Sequence, residues 1–300
     1  MKQIKAFAPI LLAVFTDLIG FGIALPVLPA LFLNPAGGIL PVGTPYATRT
    51  ILLGFILGLF PLIQIFTAPI LGALADRHGR KPVLLVSFVG TLVGYVLFAL
   101  GIVMGQLWML IVGRAIDGAT GGNISVATAA IADLSTEKTR AKNFGLIGMA
   151  FGFGFVIGPY LGGKLSDPSI LSWFTYATPF WFAAILSAVN IALLFFFFSE
   201  TLKTKRSTPV AMMTGIRNIR AAFTNPRVRV LFLVQFLLVL GFTTYTSYIQ
   251  VYLIGRFNLS QSAIGDVFGF IGICIALAQG LVVRPVADRF TPAAVLRLAP

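Results

Sequence analysis

The chain has 300 residues, 58% of them hydrophobic and only 10% charged, with a mean hydropathy of +0.95. A soluble chain carries about 25% charged residues, so this composition excludes an ordinary soluble domain and predicts an all-α polytopic membrane protein. The net charge is +13, and a single histidine and a single cysteine (Cys274) exclude a disulfide framework and a multi-cysteine metal site.

Eight apolar spans are predicted, near residues 6–33, 50–71, 83–104, 107–133, 144–163, 177–198, 230–254 and 263–283. Each is long enough to cross about 30 Å of hydrocarbon. The first is expected to remain in the mature protein rather than to be cleaved as a leader: its run exceeds 20 residues, contains Asp17 and shows no small-residue cleavage site. Asp17 lies twelve residues after Lys5, roughly 18 Å along a helix and near mid-membrane. A charge there costs about 2.5–3.5 kcal/mol and is retained for ion or substrate coupling, or as the partner of a buried arginine or a broken backbone.

The second span contains Gln64 and runs into GALADRHGRKP, residues 72–82. Gly72 and Gly79 predict a shaped turn that presents Asp76, Arg77 and Arg80, and His78 is expected at the surface. The third span carries no acidic residue between Ser87 and Gly105. In the fourth, Arg114 cannot readily deprotonate and must find a carboxylate, a carbonyl or water. Asp117, three residues on, is within reach along the helix. Asn123 follows, and Asp133 closes this span on the same side as Asp76.

The fifth span reads GLIGMAFGFGFVIGPYLGG. Gly145, Gly154, Gly158, Pro159, Gly162 and Gly163 fit the spacing G-x8-G-x3-G-P-x2-G-G. Glycine weakens a helix by about 1 kcal/mol relative to alanine, whereas in a lipid-embedded bundle small residues let backbones approach closely. The segment is therefore expected to pack tightly on another helix and to bend at Pro159. Asn190 lies in the sixth span. Gln235, Gln250, Tyr245, Tyr248 and Tyr252 lie in the seventh, and Asp266 near the rim of the eighth is expected to be solvated.

Lysines and arginines orient these spans. With the N-terminus inside, 18 of the 22 fall in inner segments, and only Arg49, Lys164 and Arg256 lie outside. Trp108, Trp173 and Trp181 then fall near outer span ends, where interfacial rings are expected. The basic stretch from Glu200 to Arg229 is expected to be a cytoplasmic linker obeying the same charge rule, with residues 212–223 weakly amphipathic and lying along the membrane surface. The expected organisation is a six-helix bundle (1–199), the linker (200–229), and an incomplete second bundle (230–300) holding helices seven, eight and the start of a ninth. GALADRHGRKP after the second span is echoed by RPVADRFTP, residues 284–292, after the eighth, as a parallel repeat would require.

Four ordered motifs carry a family resemblance. GALADRHGRKPVLL (Gly72–Leu85) resembles the cytoplasmic loop signature of the major facilitator superfamily. LIVGRAIDGATGG (Leu110–Gly122) resembles the fourth-helix motif of its proton-coupled members, the glycine run its fifth-helix antiporter motif, and DLIGFGIALPVLP (Asp17–Pro29) the first helix of its drug exporters. The closest similarity is to the tetracycline/proton and multidrug antiporters. It implies a twelve-helix fold with alternating access, a proton-coupling role for Arg114, and a charge network of Asp76, Arg80 and Asp133 that latches the outward-facing state. Two departures accompany it: the tetracycline exporters carry an acidic residue in the third helix, and the chain stops at Pro300, where a ninth helix is expected to begin, as in a truncated fragment.

The expected function is export of small amphipathic compounds, drugs and tetracycline-like molecules among them, in exchange for protons, from a monomer in the inner (plasma) membrane. Proton-coupled metabolite uptake and an inactive fragment are the alternatives. Proton coupling is expected of Asp17, Arg114 and Asp117, gating of the loop residues with Asp133, and substrate contact of Gln64, Asn123, Gln235, Tyr245 and Tyr248. Those polar side chains serve equally as helix-to-helix hydrogen bonds. An enzyme is not expected: there is no zinc pair, Ser/His relay or phosphate-binding glycine loop. No cofactor, metal or nucleic-acid partner is implied.

Overall fold

The computed structural model describes residues 2–34, 38–202, 204, 214–226 and 228–278. The second echo motif, the start of the ninth helix and part of the basic linker lie outside them. Among the described residues ten helices follow one another: α1 (Lys2–Leu33), α2 (Tyr46–His78), α3 (Arg80–Met104), α4 (Leu107–Thr120), α5 (Asn123–Leu134), α6 (Glu137–Leu165), α7 (Thr178–Phe197), α8 (Thr214–Thr224), α9 (Arg229–Phe257) and α10 (Gln261–Ala278).

Six of them (α1, α2, α3, α6, α7 and α9) are long and apolar enough to cross a membrane. The count of eight is therefore not reached among the described residues. The expected fourth span is divided at Gly121–Gly122 into α4 and α5, and the eighth is described only as far as Ala278. The division follows from two consecutive glycines, and the carbonyls freed near the break are satisfied by α2. Thr67 donates to the Gly118 carbonyl (2.9 Å) and the Gln64 amide to that of Gly121.

Chain direction sorts the connections onto two sides. The basic side carries the α2–α3 and α5–α6 turns and the segment from α7 to α9. The opposite side carries the α1–α2, α3–α4, α6–α7 and α9–α10 connections. Gly79 alone joins α2 to α3, at φ +116°, where an L side chain is strained. Thr136 and Thr139 close a capping box at the start of α6. On the opposite side Trp108, Trp173 and Trp181 are exposed, as interfacial rings are.

Arg49 departs from expectation. Counted as a loop charge, it instead sits in the first turn of α2 and is only 2% exposed. Its guanidinium donates to the carbonyls of Phe32 (3.0 Å), Asn34 (2.9 Å), Pro41 (2.9 Å) and Thr44 (3.1 Å). One cation thus closes the C-terminal carbonyls of α1 and staples the loop to α2.

Three of the five glycines in the fifth-span spacing pack against one helix, as expected. Gly154, Gly158 and Gly162 form one stripe of α6 against Phe15–Ile23 of α1. A β-carbon on Gly158 would meet the Gly22 Cα at 2.8 Å. Gly163 faces Gly265 of α10 instead, and Gly145 faces open space. Pro159 lies within α6 without ending it. Within the linker, α8 docks Gly215 against Ile65 and Pro69 of α2, and Phe223 meets Phe236 of α9.

Candidate functional site: a buried polar layer between two apolar cores

The interior holds two apolar clusters stacked along the helices. One, toward the basic side, includes Ile10–Leu18, Leu84, Phe88, Val126–Ile131 and Leu194. The other includes Ile19–Phe32, Tyr95–Ala99, Leu110 and Phe180–Ala184. At their junction five helices contribute polar side chains: Thr16 and Asp17 on α1, Ser87 and Thr91 on α3, Arg114 and Asp117 on α4, Asn123 on α5, Ser187 and Asn190 on α7. All are buried except Asp17, which is partly exposed.

Three contacts organise the layer. The Asn123 amide, in the first residue of α5 beyond the helix break, donates to Asp17 Oδ1 at 3.1 Å. Arg114 and Asp117 approach to 3.7 Å, and the guanidinium also lies 5.4 Å from the Phe98 ring centroid. The Asn190 amide donates to the Thr16 hydroxyl, tying α7 to α1. Close packing makes room for them. A β-carbon on Gly94 would meet the Gly113 carbonyl at 2.9 Å and the Asp117 Cβ at 3.1 Å. Asp117 and the Tyr95 hydroxyl each lie within electrostatic reach of Asp17, of Arg114 and of one another.

The layer is incompletely satisfied. Ser87 Oγ, Arg114 Nε, Asn123 Oδ1 and Asn190 Oδ1 have no hydrogen-bond partner among the described residues. Their gathering between two apolar cores marks a place where polarity is tolerated for what it does.

The loop residues meet on the basic side. Arg80 bonds Asp76 Oδ1 at 2.6 Å and Asp133 Oδ2 at 3.1 Å, with its own side chain buried. Arg77 is exposed and outside this network, as is His78, and Gly72 has open space where a side chain would project. Glu200, just past α7, was not singled out by its sequence position. It accepts from the backbone N–H groups of Arg80 (2.9 Å), Lys81 (3.0 Å), Thr201 (2.9 Å) and Leu202 (2.9 Å). It thereby caps α3 beside Gly79. Burial pushes its pKa up, but these N–H donors outweigh that and hold the carboxyl below its ordinary 4.5. The signal was available, since Glu200 is the sole acidic residue between Asp167 and Asp266.

The remaining polar residues disperse. Gln64 serves the helix break, Gln250 is buried against Thr246, and Gln235, Tyr245 and Tyr248 are exposed on α9. Asp266 is exposed, as expected at the rim, and also pairs with Lys164 at 2.8 Å. No group of three metal-ligating side chains occurs among the described residues.

The family model of the Major Facilitator Superfamily matches residues 10–299. The class C tetracycline resistance protein of Escherichia coli is 35% identical over 291 residues, covering 97% of this chain and 69% of that protein. The class H protein of Pasteurella multocida is 33% identical over 294 residues, covering 95% and 68%. The chain thus spans about two thirds of the length of these relatives. The crystal structure of the human organic anion transporter MFSD10 (TETRAN) superposes with a TM-score of 0.71 at 26% identity, over 96% of this chain and 74% of that one. A D-xylose-proton symporter shares the fold at TM-score 0.60 and 17% identity, over 96% and 69%. These relatives are transporters rather than enzymes, and the chain belongs to the major facilitator superfamily.

Proposed function

We propose that this protein exports small amphipathic compounds in exchange for protons, by alternating access between two helix bundles, residues 1–199 and 230–300, joined by the basic linker. The observation that carries this reading is the pair of carboxylates, Asp17 and Asp117, held with one arginine in a buried layer between apolar cores. Among the described residues the layer holds two acids and one cation, which leaves one carboxylate without a counter-charge. Neutralising it by a proton relieves the cost of an unpaired charge in the membrane, and the energy of the layer then depends on the proton it carries. A state-dependent affinity for that proton biases two conformations of the bundle.

In this reading Asp17 carries the proton, Arg114 and Asp117 form the pair it answers to, and Asn123 orients its carboxylate. The Asp76–Arg80–Asp133 network latches one arrangement on the basic side, which is the cytoplasmic side of an inner membrane under the charge rule. The names of the tetracycline resistance relatives, and the fit of the fifth-helix glycines to the antiporter pattern, favour export over uptake. Substrates are amphipathic drugs, tetracycline-like compounds among them, and the working unit is a monomer.

Everted membrane vesicles from cells expressing the native reading frame test this directly. With an acid-inside gradient established, addition of a transported amphipathic dye should dissipate the gradient, and the dye should accumulate inside. Dye loss from the vesicles under the same gradient would instead assign proton-coupled uptake, and no response to a panel of cationic, neutral and anionic dyes would reject proton exchange.

A further inference from the structure

We propose that Lys164, Asp266 and Ser262 form a latch joining α6 to α10 on the side opposite the Arg80 network, fastening the two bundles when that side is closed. This rests on the alternating-access reading and adds to it the device that holds the far end shut.

A single ammonium gathers three partners from this interface. Lys164 Nζ donates to Asp266 Oδ2 and to Ser262 Oγ, both at 2.8 Å, and lies 5.8 Å from the Tyr160 ring centroid. Lys164 stands in the last turn of α6, whereas Ser262 and Asp266 occupy the first turns of α10, 98 and 102 residues later. The pair therefore joins the first bundle to the segment after the linker rather than bracing one bundle internally. Gln261, beside Ser262, adds a bond from its amide to the Tyr176 hydroxyl at 3.3 Å.

The backbones beneath are shaped for this approach. A β-carbon on Gly163 would meet the Gly265 Cα at 2.9 Å, and one on Gly265 would meet the Tyr160 carbonyl at 3.0 Å. Glycine on both faces lets α6 and α10 touch, which brings a side chain as long as lysine over the seam. The pair is only partly shielded, with side-chain exposures of 27% for Lys164 and 57% for Asp266. Exposed pairs of this kind shift an equilibrium by a few-fold at most. That suits a catch that must release on every cycle. Since the contact exists only where the two ends meet, breaking it favours the separated arrangement by whatever the contact was worth.

The test reads conformation and needs no substrate. Ile264, wholly buried on α10 where that helix packs on α6 and α1, is replaced by cysteine in a Cys274→Ser background. The full reading frame is purified into nanodiscs and reacted with a water-soluble maleimide. Lys164→Gln and Asp266→Asn should each speed labelling by about three- to fivefold, and the exchange Lys164→Asp with Asp266→Lys should return it to the parent rate. Labelling at the parent rate in both single variants, or an exchange variant as fast as the singles, would overturn the latch. If labelling shifts as stated while the dye experiment fails, the latch stands and the export reading falls.

Discussion

Replacing Gly158 by alanine probes the contact on which the first bundle is built. The added β-carbon would lie 2.8 Å from the Gly22 Cα and 2.8 Å from the Ile19 carbonyl oxygen, and ordinary contact begins at 3.4 Å. Both obstructing atoms are backbone, so no side chain can swing aside, and α1 and α6 must part by roughly 0.6 Å in a close-packed interior. Overpacking of this kind costs about 1–3 kcal/mol, and obstruction by two backbone atoms places it at the upper end. Alanine returns about 1 kcal/mol through its better helix propensity, leaving a net loss of about 2 kcal/mol. Gly145→Ala in the same helix is the control, since its β-carbon meets nothing within 4 Å and only the propensity gain remains. Thermal unfolding of the two purified variants in one detergent should give a Gly158→Ala midpoint well below wild type and a Gly145→Ala midpoint at or above it. Equal midpoints would refute the claim that the glycine stripe, rather than glycine content, sets the α1–α6 distance.

Three further outcomes follow from particular side chains. Arg49→Met should lower stability by about 2–4 kcal/mol by orphaning four carbonyls, and Arg49→Lys should recover only part of it, both read by thermal unfolding. Glu200→Gln should cost about 0.5–1 kcal/mol at neutral pH by weakening the α3 cap. Because the folded carboxyl sits below its ordinary 4.5, its contribution is complete above that value and lost as pH falls through the lower folded one, so the gap between wild type and variant should close only in acid. Arg80→Lys should break the simultaneous reach to Asp76 and Asp133, reducing transport while leaving the amount of protein in the membrane unchanged on an immunoblot.

The sequence and the structure agree where periodicity or spacing carries the information. Apolar runs located the long helices, and a glycine spacing of four predicted a helix seam now seen between α6 and α1. The resemblance carried by the ADRHGR turn implies a network of Asp76, Arg80 and Asp133, and the contacts among them are present. What stayed hidden depends on contacts between distant segments. Asn123 reaches Asp17 across 106 residues, and Glu200 reaches Arg80 across 120. Neither partner can be read from local pattern. Arg49 falls outside the predicted spans, yet four carbonyls bury it, and the exposed Asp266 finds Lys164; both contacts are choices of tertiary packing. The division of the fourth span at Gly121–Gly122 is intermediate: two adjacent glycines signal weakness, but the donors on α2 that stabilise the break lie more than 50 residues away.

The central claim is that the Asp17 carboxylate carries the proton that drives transport. Asp17→Asn keeps the size of the side chain and can still bond Asn123, but it cannot exchange a proton. In proteoliposomes holding the full reading frame, the account predicts that Asp17→Asn retains substrate counterflow, which needs only binding and alternation, and loses accumulation driven by a pH gradient. Gradient-driven accumulation by Asp17→Asn at the wild-type level would contradict it.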